Sequence, residues 1–530
     1  MGFLTSMFKQ LFCAPKELLN TKEASVWASH YLGKHVSASN IAYLINYGRI
    51  ANHAKDSKQN LIDIEELKLY YDRLQQQDTQ EPLSFAHFKE AETTKHVHRL
   101  HPYKGKFIPQ LVEFFLDSHI DSLKSKQWFS DGDIVLDPFC GSGTTLAVAN
   151  TLNIHALGVD ISCFNAMLSN AKVGQYNLEA LTRVFEGLID KVESLHEKSP
   201  IKEFENALDT HLQNFNNRHF PKDFKRKVVL GQVDDRTYGA EKAKEFLGIY
   251  EELLQRFAIH LLDGTPTGFI QKWYISPIKQ ELLFLKEEID KRHEGMRDIL
   301  YIVLSRTARS CRATTHADLA TLKDPVTTTY YCKKHGKICR PLFSLKKWFA
   351  HYAKDTLKRL REFQTLRSGC FSLCLQADAC SVDLITEVFK HNENFARLID
   401  TQRIAGIFSS PPYVGLINYH EQHAYAYELF SLKRQDHLEI GAMQAGQGKS
   451  AREQYIQGIA NVLKNTKRFL KPNYNVFLVA NDKFNLYPRI AELAGMHIVK
   501  CYHRPVINRS EKDTRGYQES IFHLKDSQKC

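Results

Sequence analysis

Apolar and polar positions follow two different periods along the chain. Between residues 128 and 173, short apolar runs and helical stretches alternate in the order strand, loop, helix, strand, helix. This order predicts a βαβ unit of a parallel sheet. Later apolar runs predict further strands at 371–376, 404–408, 476–479, 497–501 and 520–524. From about 175 to 370, Leu, Lys, Glu and Phe recur at helical spacing, which predicts a mainly helical insertion into the sheet domain.

Residues 18–74 have a pattern of their own. Thr21 is a candidate cap for a helix at 22–31, and Ser37 or Ser39 for a second helix at 40–47 that Gly48 would end. A polar, hairpin-like stretch at 49–59 precedes a third helix at 64–74, and a polar linker follows at 75–81. This order resembles the winged helix-turn-helix of excisionase-like DNA-binding modules, which implies contact with DNA. A small helical cap without a nucleic-acid role is the alternative.

Composition narrows the classes of protein. A chain of 530 residues with 43% hydrophobic and 25% charged residues is typical of a soluble globular protein with two or three domains. The net charge of +11 is compatible with binding a polyanion. The 11 cysteines are scattered singly, and no stretch approaches 18 uncharged apolar residues. We therefore expect a cytoplasmic protein with reduced thiols and no membrane span.

A glycine-containing loop follows the apolar run at 134–136. Gly141 and Gly143 allow a tight turn and close approach of a ligand, and a helix starting at Thr144 points its free amides toward that ligand. A dinucleotide-binding fingerprint would place a third glycine where Leu146 stands. The loop is therefore suited to a different nucleoside-bearing cofactor.

Two carboxylates flank this loop. Asp137 would repel a pyrophosphate but suits a cofactor that carries an ammonium group. Asp160 ends the next strand, where a carboxylate accepts hydrogen bonds from ribose hydroxyls.

A second loop, Ser410-Pro411-Pro412-Tyr413, follows the apolar run that starts at residue 404. Acceptors aimed at both hydrogens of an exocyclic amine stabilise the positive charge that develops on its nitrogen during attack. The Ser410 side chain and the Pro411 carbonyl can supply them. Tyr413 offers a flat face for a base swung out of a duplex.

Together the two loops resemble motifs I and IV of the S-adenosylmethionine-dependent DNA amino-methyltransferases, the cytosine-N4 and adenine-N6 family. The resemblance implies an α/β fold with a Rossmann-like class I methyltransferase sheet. It also implies that Asp137, Phe139, Gly141 and Gly143 surround the methionine part of S-adenosylmethionine and that Asp160 binds its ribose.

Two further segments are similar to the same family. Residues 101–109 resemble motif X, which implies that Tyr103, Lys106 and Phe107 close over the methionine end. Residues 375–379 resemble motif III, which implies that Asp378 reaches the adenine amino group.

The resemblance implies a sequence-specific methyltransferase of double-stranded DNA, in a restriction-modification system with a possible cognate restriction endonuclease. By the same resemblance Ser410, Pro411, Pro412 and Tyr413 are catalytic. Serine at the first position is more typical of cytosine-N4 enzymes, so N4-methylcytosine is the favoured product. Adenine-N6 methylation is the alternative, an RNA guanine-N2 enzyme a more distant one, and a DNA-binding regulator with a degenerate methyltransferase domain a third.

The predicted units are the winged helix-turn-helix at 18–74, the cofactor-binding half of the methyltransferase domain at 95–174, the helical insertion at 175–370 and the catalytic half at 371–526. The insertion is the candidate target-recognition region. Basic stretches at 306–312 and 333–340 are either phosphate-tracking segments or solvated faces. A polar loop with Arg504, Arg509, Lys512 and Arg515 is a candidate for contact with the duplex.

Two local patterns leave alternatives open. Tyr419, His420 and His423 either line the base pocket or contact DNA, or they are aromatic residues that pack against helices. Cys332, His335 and Cys339 have a spacing similar to a zinc knuckle but lack a fourth ligand, so solvated loop cysteines are favoured and no metal site is assigned.

Overall fold

The computed structural model describes residues 17–33, 35–46, 49–54, 59–75, 82–103, 105–261, 267–315, 324–341, 345–416, 418, 420–506 and 517–527. Gly48, Tyr419, Arg509, Lys512 and Arg515, which the sequence singled out, lie outside these residues.

The strands of the described residues are β1 (Leu18–Asn20), β2 (Leu61–Asp63), β3 (Ile134–Asp137), β4 (His155–Asp160), β5 (Tyr330–Cys332), β6 (Lys337–Cys339), β7 (Ser372–Gln376), β8 (Ile404–Ser409), β9 (Leu470–Ala480), β10 (Met496–Val506) and β11 (Tyr517–Asp526).

The helices of the same residues are α1 (Thr21–Leu32), α2 (Ala38–Asn46), α3 (Ile64–Gln75), α4 (Glu90–Thr93), α5 (Pro109–Leu116), α6 (Thr144–Thr151), α7 (Cys163–Val173), α8 (Leu178–Glu197), α9 (Pro200–His219), α10 (Phe224–Val229), α11 (Asp235–Arg256), α12 (Phe269–Trp273), α13 (Ser276–Asp290), α14 (Glu294–Ser310), α15 (Leu345–Gln364), α16 (Leu384–Phe389), α17 (Glu393–Gln402), α18 (Ala424–Leu429), α19 (Lys449–Lys467) and α20 (Tyr487–Leu493).

A seven-stranded sheet organises the larger part of the described chain, in the order β10-β11-β9-β8-β3-β4-β7. The strands from β9 to β7 are parallel, and β11 runs antiparallel to both of its neighbours. The predicted α/β class with a mainly parallel sheet is therefore confirmed. The chain leaves β3 for β4 on one side, while β8 lies on the other side. The strand order thus reverses between β3 and β8, and ligands of open α/β sheets bind at such a point.

Alternate residues of the strands point to opposite faces, as a pleated sheet requires. In β3, Ile134 and Leu136 face a core formed with α16, α17, α19 and α20. Val135 faces the opposite core, which continues without a break into the helices between α8 and α15. The insertion is therefore packed firmly against one face of the sheet.

One basic stretch of the insertion is buried. Arg306 lies on the inner side of α14, and Arg312 lies two residues beyond the end of that helix. Their exposed fractions are 7% and 3%. Arg306 forms an ion pair with Asp355 at 2.7 Å, and its guanidinium lies 4.2 Å from the Tyr352 ring centre. The prediction of a phosphate-tracking or solvated face at 306–312 is wrong for these two arginines, because both side chains are buried inside the protein.

The amino-terminal unit has a core of its own, built from α1, α2 and α3. Asn20 caps α1: its side chain accepts from the amides of Lys22 and Glu23, at 3.0 and 3.1 Å. The prediction that Thr21 is the cap is thus off by one residue. The antiparallel pair is β1 with β2, and residues 49–54 contain no strand, so the hairpin-like interpretation is wrong for that described part.

The amino-terminal unit is anchored on the sheet domain. Arg49 Nε lies 3.3 Å from a carboxylate oxygen of Asp121, and both side chains are buried. The Tyr43 and His119 rings pack with their centres 5.3 Å apart. The unit therefore has a defined position on the larger domain. Among the described helices, none is both long enough and apolar enough to span a membrane.

Candidate active site

The loops after β3 and β8 meet at one cavity. We call residues 138–143 the cofactor loop and residues 410–413 the catalytic loop. The cavity has about 890 Å³ of empty space, part of which is open solvent at its mouth. Of the residues predicted for the site, those that line it are Tyr103, Lys106, Phe107, Phe139, Gly141, Asp160, Asp378, Ser410 and Pro412.

Glycine is required twice in the cofactor loop. Gly141 and Gly143 have φ of +53° and +70°, a left-handed conformation that side chains disfavour. A Cβ at Gly143 would lie 3.0 Å from the Ser169 backbone, and one at Gly141 would lie 3.2 Å from the Tyr103 hydroxyl. Gly143 lets the loop lie close to α7, and Gly141 lets motif X approach the loop.

Asp160 is a partly buried acceptor at the cavity wall. Its carboxylate accepts from the amides of Gly141 and Ser162 at 2.7 and 2.9 Å, and from the Asn165 side chain at 3.1 Å. Burial raises the pKa of Asp160 to about 6, despite the opposing effect of these hydrogen bonds. The side chain thus has a fixed position and a further lone pair for a ligand donor.

Asn165 connects two predicted segments that are far apart in sequence. Its amide group donates to the Tyr103 hydroxyl at 3.2 Å as well as to Asp160. Its side-chain oxygen is buried at the cavity and has no hydrogen-bond partner among the residues that the structure describes. A buried acceptor of this kind favours a ligand that brings a donor.

Asp137 is not among the lining residues. Its carboxylate accepts from the Ser409 hydroxyl and, at 3.2 Å, from the Phe139 amide. Burial raises the pKa of Asp137 to about 6, and these bonds together with one from Thr145 oppose that rise. The side chain therefore ties the end of β3 to the end of β8. Its predicted closeness to the methionine part of a cofactor stays a prediction.

Motif X closes the cavity from the side of the insertion. Lys106 donates to the His98 carbonyl at 2.8 Å, and burial lowers the pKa of Lys106 to about 8. Phe107 packs edge-on against Phe408 of β8, with ring centres 5.5 Å apart. On the opposite wall, Asp378 accepts from the Cys380 amide at 2.9 Å, which fixes its carboxylate after β7.

The catalytic loop is held by side chains from distant segments. Ser410 and Pro412 line the cavity, whereas Pro411 is buried and Tyr413 lies beyond the lining residues. The Tyr413 hydroxyl donates to Glu519 at 3.0 Å, and Glu519 accepts from Arg504 at 2.7 Å. Glu519 and Arg504 are both buried, so this ion pair fixes one edge of the tyrosine ring.

The two histidines after the catalytic loop are packing residues. His420 is buried and hydrogen bonded to Glu439. His423 is buried against Phe164 and Tyr103, with ring centres 4.5 and 5.7 Å away. The packing alternative is therefore correct for both.

Sequence reasoning missed the supports of the site. Ser409, Asn165, Glu519 and Arg504 carry no motif of their own, and Arg504 was noted only as part of a loop that could reach DNA. Asn165 alone had a usable signal, because it lies in the first turn of the helix that follows Asp160. Glu439, which follows the buried histidines by about 20 residues in sequence, also lines the cavity.

Known proteins define the class. Residues 19–167 match the family model described as DNA methylase. The chain is 40% identical over 528 residues to the type II methyltransferase M.MjaII of Methanocaldococcus jannaschii, covering 96% of this chain and 97% of that one. It therefore belongs to the family of type II methyltransferases.

More limited similarities accompany this one. The type II methyltransferase M.BsoBI of Geobacillus stearothermophilus is 31% identical over 115 residues, 21% of this chain and 20% of that one. The solved rRNA methyltransferase aviRa of Streptomyces viridochromogenes is similar with a TM-score of 0.27 and 11% identity, over 82% of this chain and 92% of that one. That last similarity is too low to bear on the fold.

Proposed function

We propose that this enzyme transfers a methyl group from S-adenosylmethionine to the exocyclic amine of a base in double-stranded DNA, and that cytosine N4 is the acceptor. The observation that carries the proposal is the meeting of Ser410 and Asp160 in one cavity at the reversal point of the sheet. The proposed amine site at Ser410 and the proposed nucleoside site at Asp160 then lie in the same cavity.

The residues present fit S-adenosylmethionine. Asp160 offers a fixed carboxylate for ribose hydroxyls, and Asp378 offers one for the adenine amino group. Ala379 and Val462 add apolar wall for the adenine ring. The side-chain oxygen of Asn165, which no described residue hydrogen bonds, suits a donor such as an ammonium or a hydroxyl. When bound, this cofactor supplies an electrophilic methyl group on a sulfonium.

Ser410 and Pro411 act on the acceptor nitrogen. The amine lone pair is delocalised into the base, so acceptors for both amino hydrogens favour the pyramidal nitrogen and stabilise its developing positive charge. A bound S-adenosylmethionine would supply the methyl group to the nitrogen that Ser410 and Pro411 orient, and that nitrogen would lose a proton to solvent. The two prolines remove backbone donors from the loop, which keeps its carbonyls available.

Product analysis tests the reaction. Duplex DNA methylated by the purified protein is digested to nucleosides, which are identified by mass spectrometry. We expect N4-methyldeoxycytidine. N6-methyldeoxyadenosine alone would overturn the choice of base and keep the mechanism, while 5-methyldeoxycytidine would overturn the mechanism.

The amino-terminal unit and the insertion are proposed to contact DNA, the unit as a winged helix-turn-helix. In such modules the second helix enters the major groove. Here that helix is α2, and Ser39 on it is exposed. The unit has seven basic and six acidic residues between 18 and 74, so its contacts would rest on shape more than on charge.

A matched pair of variants tests this placement. Ser39→Glu puts a negative charge on α2, and Val26→Glu puts one on α1, where Val26 is 72% exposed. We expect only Ser39→Glu to weaken DNA binding, by roughly 1–3 kcal/mol if it removes a base contact. Equal affinities would favour a helical cap without a nucleic-acid role. As a member of a restriction-modification system, the enzyme would act beside a nuclease that cleaves the same sequence.

A further inference from the structure

The hairpin β5–β6 of the insertion gathers three metal-binding side chains. The ligand atoms of Cys332, His335 and Cys339 all lie within 4.8 Å of one another, and His335 Nδ1 is 3.4 Å from Cys339 Sγ. Neither cysteine is in a disulfide. The cluster is remote from the cavity in sequence and contributes no residue to its lining.

Local backbone structure creates the cluster. The amides of His335 and Gly336 donate to the Cys332 carbonyl at 3.1 and 2.7 Å, and Gly336 has a φ of +65° that closes the turn. In the β5–β6 ladder Cys339 pairs with Tyr330, two residues before Cys332. The two cysteines are thus diagonal neighbours on one face of the hairpin.

The surrounding helices hold the hairpin in place. The Asn216 side chain on α9 both donates to and accepts from the backbone of Ile338, each at 2.9 Å. Tyr331 stacks on Phe220 with ring centres 5.7 Å apart. Lys225 on α10 donates to the Lys334 carbonyl of the turn. The three ligand atoms are therefore gathered on an anchored element.

We propose that Cys332, His335 and Cys339 bind a zinc ion, with water in the fourth position. Two sulfurs and one imidazole nitrogen are the donor set that Zn²⁺ prefers, at about 2.3 and 2.0–2.1 Å. In a tetrahedron with these bond lengths, the ligand atoms lie about 3.5–3.8 Å apart. Because the ligand atoms all lie within 4.8 Å of one another, zinc binding requires a contraction of at most about 1 Å.

The charges around the cluster suit a bound zinc ion. Two thiolates and one Zn²⁺ have no net charge, and the hairpin carries three exposed lysines. These lysines are Lys333, Lys334 and Lys337. His335 is partly exposed, which leaves access for a fourth, water ligand. Zinc would hold the turn that presents the lysines.

Metal analysis of the full-length protein tests the proposal. The protein is purified without chelator, and its zinc content is measured by inductively coupled plasma mass spectrometry. We expect about one zinc per chain, and at least a tenfold lower content in Cys332→Ser and Cys339→Ser, since metal affinity depends on the complete ligand set. Cys370→Ser, at a partly buried cysteine outside the hairpin, is the matched control and retains the zinc.

Cobalt substitution identifies the ligands. After chelation, added Co²⁺ is expected to give the visible bands of a tetrahedral ion and a near-ultraviolet sulfur-to-metal band, both absent in Cys332→Ser. Wild-type protein with neither zinc nor a cobalt spectrum would overturn the proposal. So would zinc retained by both serine variants, or a disulfide between Cys332 and Cys339 in alkylated protein. Each measurement is independent of methyl transfer.

Discussion

The two loops at the cavity are supported in opposite ways. The cofactor loop is held from nearby in sequence: Asp160 lies 19 residues from Gly141, and buried Lys172 donates to the carbonyl of Ser142, 30 residues away. The catalytic loop depends on distant partners. Ser409 is bonded to Asp137, 272 residues away, and Tyr413 to Glu519, 106 residues away.

This difference determines how much of each loop's geometry a single stretch of sequence specifies. A βαβ unit carries the cofactor loop together with its own partners, so one stretch of sequence specifies both. The catalytic loop depends on the pairing of β8 with β3 and on Glu519 of β11, which are encoded far away in the sequence. We therefore expect substitutions around the cofactor loop to act on ligand binding, and those around the catalytic loop to act on turnover.

Adjacent serines of the catalytic loop give the largest expected contrast. Ser410→Ala removes an acceptor at the reacting nitrogen and should lower kcat by about two to three orders of magnitude. Affinity for DNA and cofactor should change little. Single-turnover methylation with labelled S-adenosylmethionine measures the step.

Ser409→Ala is the matched control for that experiment. It leaves buried Asp137 with one donor fewer, and a lost bond to a charged group costs about 1.5–3 kcal/mol of stability. Its melting temperature should fall more than that of Ser410→Ala, while its kcat falls less. The reverse order would place the reactive hydroxyl at Ser409.

On the side of the cofactor loop, Asp160→Ala should weaken cofactor binding. Loss of a charged acceptor for ribose hydroxyls costs about 1.5–3 kcal/mol, or roughly 10- to 150-fold in Kd. Calorimetry without DNA measures this affinity. An unchanged Kd would remove Asp160 from the cofactor site and with it the proposed contrast between the loops.

The pH dependence of cofactor binding sharpens that result. Burial raises the pKa of Asp160 to about 6, so the folded protein favours the protonated form more than the unfolded chain does. The free energy of unfolding therefore falls as the pH rises from about 4 to 6. A hydroxyl donor favours the ionised form. Cofactor affinity should therefore fall as the pH drops through about 6.

Two asparagine variants assign this titration. Asp160→Asn should remove the fall in affinity between about pH 7 and 5, whereas Asp137→Asn should keep it. Burial also raises the pKa of Asp137 to about 6, but its carboxylate is directed at Ser409 rather than the cavity. A flat profile in Asp137→Asn would show that this carboxyl, too, senses the ligand.

The sequence predicted what depends on local pattern. The strands at 371–376 and 404–408 were placed within a residue of β7 and β8, because short buried strands have continuous apolar runs. Strand β9 was predicted six residues too short at its start. Its first part contains Lys471, Pro472 and Asn473, residues with weak strand preference, and they fall in an irregularity of the ladder between the pairs Ile404–Leu470 and Gly406–Asn475.

Charge was the least reliable guide. Arg306 resembles a surface cation in sequence, yet it is buried because Asp355, on another helix, supplies its partner. The lysines at 333, 334 and 337 have a similar pattern and are exposed. Only the tertiary partner distinguishes the two cases, and one sequence does not display it. For the same reason the sequence did not predict that Glu519 and Arg504 support Tyr413.

Substitutions at the tyrosine give the smaller expected effects and compare its ring with its hydroxyl. Tyr413→Ala should weaken capture of an extruded base by about 1–3 kcal/mol, the range measured for stacking of bases on aromatic side chains. Tyr413→Phe keeps the ring and removes its hydrogen bond to Glu519, so capture of the base should weaken by less than in Tyr413→Ala.

Glu519→Gln tests whether the effect of Tyr413→Phe depends on the ion pair between Glu519 and Arg504. Glutamine retains an acceptor for Tyr413 but leaves buried Arg504 without its counter-charge, so stability should fall more than turnover. If the ion pair orients the ring, combining Glu519→Gln with Tyr413→Phe should cost less turnover than the sum of the single changes, because both remove one support. Strictly additive losses in single-turnover rate would mean that the catalytic loop, like the cofactor loop, holds its shape without distant partners.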